Sequence, residues 1–151
     1  MGVPTGFHTL TTYLVLDDAA AAIEFAERAF GATRLLRLTR PDGRILHAEV
    51  RIGDLPLMLA DRPAPSSTGA DPTTSTHGPG FGIHVYVDDP DAAIDRAVLA
   101  GAVLLDPAQD TDDGERRGTI RDPFGCTWWI ATQRVARTRP ELQRLFDARS
   151  R

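Results

Sequence analysis

His47 and Glu49 stand two residues apart in a stretch that alternates like a strand, so their side chains leave the same face. An imidazole beside a carboxylate can pass a proton, and histidine is the side chain best suited to that near neutral pH. His84 is a third candidate, and the three residues would form a His/Glu/His cluster if folding brought their strands together. Such a cluster could act as acid and base or hold a displaced metal ion. The alternative is a hydrogen-bonded pair that orients a ligand or ties the sheet. Tyr13, Met58, Tyr86, Arg117 and Trp129 are expected on the same side of their strands and form a candidate ligand surface. Thr11 and Thr127 share that side. Aromatic area with few polar handles suits a small-molecule site. Arg117 is expected either to clamp an anionic group or to be a solvated arginine at a sheet edge. Trp129 is expected either to support a ligand or to fill its own pocket.

These residues sit on elements that the chain writes twice. Tyr13-Leu14-Val15-Leu16-Asp17-Asp18 leads into an alanine-rich segment, and His84-Val85-Tyr86-Val87-Asp88-Asp89 does the same 71 residues later. The same offset carries Asp42-Gly43 to Asp113-Gly114 and Ala60 to Ala131. A long period seen only twice indicates a duplicated module, not a solenoid. In the first copy, residues 9–16 read as a strand. A helix is predicted over 19–30, capped by Asp17 or Asp18 and ended by Gly31. Strands follow at 34–39, 44–52 and 55–60, joined by Pro41-Asp42-Gly43 and Gly53-Asp54 turns. The second copy predicts a strand at 81–87, a helix stopped by Gly101, and strands at 103–105, near 117–121 and at 127–132. An acidic turn runs through Asp110-Thr111-Asp112-Asp113-Gly114. Residues 63–80, rich in Pro, Ser, Thr and Gly, read as a linker in which His77 is a solvated loop residue. Pro140 is placed to open a last helix over 140–149, with Leu142, Leu145 and Phe146 on one side, as a clamp on the body or on a second subunit.

The expected fold is therefore α+β: two tandem βαβββ modules, 9–62 and 81–133, forming an eight-stranded curved sheet with helices outside and a concave inner face. The 151 residues suit one domain built from two half-size modules. A net charge of −4, with 17 scattered basic residues, argues against nucleic acid and anionic membrane as partners. Cys126 is the only cysteine, so no intrachain disulfide can form. No signal peptide or membrane span is visible, and a cytoplasmic protein is expected.

Several strings resemble those of a known family. Ala22-Ile23-Glu24-Phe25 before Ala29-Phe30-Gly31-Ala32, His47-Ala48-Glu49 before Arg51-Ile52-Gly53-Asp54, and Arg121-Asp122-Pro123-Phe124-Gly125 before Trp128 are similar to the vicinal oxygen chelate superfamily. That group includes glyoxalase I, bleomycin-resistance proteins and extradiol dioxygenases, and the PhnB-like branch is the nearest match. The resemblance implies a divalent cation held on the first and last strand of each module, at positions that correspond here to Thr11, Met58, Gly82 and Trp129. None of these offers imidazole, carboxylate or thiolate, so no metal and no other cofactor is expected. Asp122-Pro123-Phe124-Gly125 is expected to be a structural turn, Trp128 core, and Cys126 an inert thiol where relatives often carry His. Ala26 replaces a tyrosine common in the branch.

The expected function is metal-independent binding of an aromatic or antibiotic-like small molecule, in a homodimer as the resemblance implies. The alternatives are a metal-free isomerase or lyase using His47, Glu49 and His84, and a displaced-site metalloenzyme. A purely structural role is the third class, disfavoured because the expected inner face carries more polar groups than a filled core needs.

Overall fold

A computed structural model describes residues 2–62 and 81–149. The expected linker, His77 and the side chain of Phe146 lie outside what is described. Contacts divide the chain into two compact units, the second beginning at Phe81.

The first unit runs β1 (Thr12–Leu16), α1 (Ala19–Phe30), β2 (Thr33–Thr39), β3 (Ile45–Ile52) and β4 (Leu55–Asp61). Its sheet has the order β1-β4-β3-β2, with β1 parallel to β4 and the other pairs antiparallel. Helix α1 starts where the Asp18 carboxylate accepts the Ala21 N–H at 2.9 Å, meeting a donor that a helix start leaves unpaired. It ends at Gly31, whose φ of +65° is the left-handed conformation that glycine takes without a Cβ penalty. Between these caps Ala22, Ile23, Phe25, Ala26 and Ala29 are buried, as are Leu14, Leu57, Leu59, Ala48 and Val50 of the sheet, and α1 packs on β3 and β4. Asp61 joins three elements: it accepts from Ala19 N at 2.8 Å and from Ile45 N at 2.6 Å. It thereby ties the head of α1 and the start of β3 to the end of β4.

The second unit repeats the plan with β5 (Gly82–Tyr86), α2 (Pro90–Leu99), β6 (Val103–Asp110), β7 (Glu115–Arg121) and β8 (Thr127–Gln133), in the order β5-β8-β7-β6. Asp89 caps α2 through the Ala92 N–H at 3.1 Å, and Pro90 occupies its first position. Ala93, Ile94 and Ala97 are buried. A Cβ on Gly118 would stand 2.4 Å from Ile94 Cδ1 and 2.9 Å from backbone atoms of Asp106 and Ala108. Glycine there is what lets α2 and the irregular part of β6 close on β7. Helix α3 (Arg139–Arg149) opens with a reciprocal cap: Thr138 N–H donates to Glu141 Oε2 at 2.7 Å and Glu141 N–H to Thr138 Oγ1 at 3.4 Å. None of its described residues is buried, and Leu142 is exposed. No helix among the described residues is long and apolar enough to cross a membrane.

Among the described residues, eight strands in two four-stranded sheets and three helices give the expected α+β class. Most boundaries shift by about one residue from the sequence reading, and three differences go further or touch a candidate residue. Strand β6 continues to Asp110 through Pro107, tolerated because β6 is an edge strand and its pairing with β7 shifts register there. Strand β7 begins at Glu115, inside what reads as the end of an acidic turn. Thr11 precedes β1 and does not belong to it.

Candidate functional site

Each sheet buries one face under its own helix, and the chemistry-bearing residues occupy the other. In the first unit the register aligns Tyr13 with Met58, Met58 with Glu49 and Glu49 with Leu36, while His47 pairs with Leu38. The Tyr13 and His47 rings stack at 5.8 Å and 15°. His47 Nε2 donates to Glu49 Oε1 at 3.0 Å, and both side chains are largely covered. Tyr13, His47, Glu49 and Met58 are thus brought together as a ring stack beside a hydrogen-bonded imidazole–carboxylate pair.

In the second unit one row runs His84, Trp129, Thr119, Asp106 and the next runs Tyr86, Ala131, Arg117, Gln109. Ala131 is small, and the aromatic and the guanidinium rise on either side of it. Tyr86 donates its hydroxyl to Glu115 Oε1 at 2.6 Å, and Arg117 Nη1 donates to Glu115 Oε2 at 2.5 Å. Arg117 Nη2 reaches Asp113 Oδ2 at 3.4 Å, and Thr111 donates its hydroxyl to the other oxygen of that carboxylate. The His84 ring lies 4.8 Å from that of Tyr86, and its Nε2 is 3.9 Å from Glu115 Oε2. Glu115 therefore gathers Tyr86, Arg117 and His84 around one carboxylate. Its hydrogen bond, helped by burial, pushes the Tyr86 phenol above its usual range. The Thr111 hydroxyl, with Arg117 nearby, holds Asp113 below the usual carboxylate range against the opposing effect of burial.

The His47–Glu49 pair and His84 belong to different units. Neither unit, among the described residues, gathers three His, Cys, Asp or Glu side chains in a metal-holding group. The four positions where the resemblance places a cation do not fit one. Thr11 Oγ1 lies 3.5 Å from the His8 carbonyl, Met58 is a thioether, and Gly82 has no side chain and is half-buried. A Cβ on Gly82 would stand 2.2 Å from Cζ3 of Trp129, so the indole itself fills the place a donor side chain would take on β5.

Arg117, one reading of which put it at a sheet edge, lies on inner strand β7 and is ion-paired. Glu115 and Asp113 were not among the sequence candidates. The repeat offers a signal for Glu115, since the 71-residue offset maps it onto Arg44, where the first-module strand was expected to begin. Trp128 is core, its indole N–H held by Asp122 at 2.9 Å, and Asp122 also accepts the N–H groups of Phe124 and Cys126 at 2.9 Å each. The Cys126 thiol is pushed up to about 11 by burial and then by Asp122, so it is no ready nucleophile at neutral pH.

The sequence profile described as Glyoxalase/Bleomycin resistance protein/Dioxygenase superfamily matches residues 7–130. Uncharacterized protein Rv0887c of Mycobacterium tuberculosis is 42% identical over 120 residues, 79% of this chain and 71% of that protein. Among solved structures, TioX from Micromonospora sp. ML1 is similar at 30% identity with a TM-score of 0.61, covering 85% of this chain and 98% of that one. The PhnB protein from Bacillus cereus shares the fold at 16% identity and a TM-score of 0.61, covering 83% of this chain and 99% of its own. With the profile spanning most of both units, the chain belongs to the glyoxalase/bleomycin resistance protein/dioxygenase superfamily.

Proposed function

We propose that the protein binds an aromatic small molecule without a metal ion and sequesters it without chemical change, on the helix-free faces of its sheets. The observation that carries this reading is aromatic exposure. Tyr13, Tyr86 and Trp129 are 47%, 64% and 38% exposed on those faces, while the helix-covered faces are packed. Flat apolar rings held by a sheet lose little freedom when another ring stacks on them. Filling of the Gly82 position by the Trp129 indole supports a role without a cation. The proposal extends to a homodimer in the cytoplasm; sedimentation at twice the mass of one chain would bear out the dimer.

The two tryptophans make the test simple, because Trp128 is 3% exposed and Trp129 faces outward. Metal-stripped protein is expected to show saturable quenching of Trp129 fluorescence by planar aromatics such as acridine. A flat response across a broad aromatic panel would count against the reading.

A second reading, proton transfer without a cation, is favoured by one observation, the 3.0 Å contact between His47 and Glu49. It calls for an isomerase- or lyase-type turnover that survives chelation and disappears in both His47→Ala and His84→Ala. Turnover that stops on chelation and returns with a divalent ion would contradict the proton-only route.

A further inference from the structure

The geometry points to a ligand class for the second unit: an aromatic ring bearing a cationic group, with the ring on Tyr86 and Trp129 and the charge toward Glu115. This inference rests on the aromatic-binding reading above and adds charge selectivity to it. Tyr86 is the residue shared by two features. One is the Glu115 cluster; the other is a depression of about 510 Å³ lined by Tyr86, Val87, Asp88, Thr132 and Gln133. Its volume is within the roughly 300–1,000 Å³ of ligand pockets. The lining contains one carboxylate, Asp88, and no basic residue.

Charge in the neighbouring cluster has the same sign. The charged groups acting on the Tyr86 hydroxyl are Glu115, Arg117 and Asp113, two carboxylates against one guanidinium; His84, 3.9 Å from Glu115, adds a positive charge only when protonated. Arg117 is occupied by both of them, at 2.5 Å and 3.4 Å, and so is not presented as an anion clamp. Each oxygen of Glu115 accepts one of these hydrogen bonds, from Tyr86 and from Arg117. A carboxylate has about four acceptor positions, which leaves capacity for an ammonium or amidinium donor. Tyr86 and Trp129 add ring faces that attract cations and repel anions. An anionic ligand would meet Asp88, Asp113 and Glu115 with the guanidinium already engaged.

The test compares three probes on one ring system by equilibrium dialysis with the full chain: 9-aminoacridine (cationic), acridine (neutral) and acridine-9-carboxylate (anionic). The cation is expected to bind at least about tenfold more tightly than the anion, the scale of one charge-assisted hydrogen bond. Glu115→Gln is expected to lower the ratio of cation to acridine affinity about tenfold. Arg117→Met removes the counter-charge and is expected to raise that ratio. It keeps the test decisive if Glu115→Gln fails to fold. Equal or tighter binding of the anion overturns the inference, as does a ratio that neither variant moves. Saturable acridine binding without charge preference sinks this inference and leaves the aromatic-binding reading standing; no binding by any probe sinks both.

Discussion

Trp129→Ala is expected to weaken binding of a planar aromatic ligand by at least about thirtyfold while the protein stays folded. Truncating a central aromatic contact costs about 2 kcal/mol or more, and 1.4 kcal/mol is tenfold in affinity. Trp129 is 38% exposed and lies on the face away from α2. Its loss uncovers Gly82 but opens no cavity under the helix. Equilibrium dialysis with acridine and a thermal melt of the same sample would separate the two effects. Trp129→Phe, which keeps a ring, is expected to recover much of the affinity. If Trp129→Ala binds acridine as the parent does, the indole is only filling space over Gly82.

Asp122→Ala is expected to be the most damaging single change to stability, on the order of 4 kcal/mol. The carboxylate is 6% exposed and accepts from Phe124 N, Cys126 N and Trp128 Nε1, each at 2.9 Å. A hydrogen bond to a charged acceptor contributes about 1.5–3 kcal/mol, and a buried donor left unmet adds its own desolvation cost. The buried indole of Trp128 cannot turn to water to replace the acceptor it loses. For a chain this long a loss of that size corresponds to a Tm drop of roughly 10 °C. Asp122→Asn keeps an acceptor oxygen and should lose distinctly less. A drop of only a degree or two in Asp122→Ala would mean that the turn holds β8 without the carboxylate.

Much of this architecture was legible in the sequence because the duplication exposes it. Asp18, one of two aspartates expected to cap α1, and Gly31 act for reasons that a short window contains, and the alternation through Ile45–Ile52 assigns His47 and Glu49 to one face without reference to distant residues. Glu115 was hidden for the opposite reason. Its neighbours Asp112, Asp113 and Gly114 have turn composition, and only the pairing of β7 with β8 extends the strand back to it. The partners of Arg117 were equally out of reach, since which carboxylate a guanidinium meets depends on side-chain directions across strands. Composition showed that Gly82 could not ligate a metal, but not that the Trp129 ring lies over it; that follows from a rotamer choice on the adjacent strand. The strand expected at 103–105 runs on through Pro107 to Asp110, which an edge strand tolerates.

The most direct measurement is an acridine binding isotherm on exhaustively chelated protein, with transition-metal content determined on the same sample. Saturable binding at one affinity, unchanged when Zn, Ni, Mn or Fe is added back, with far less than one ion per chain, is the expected result. One tightly held ion per chain, or binding that appears only when an ion is restored, would contradict it.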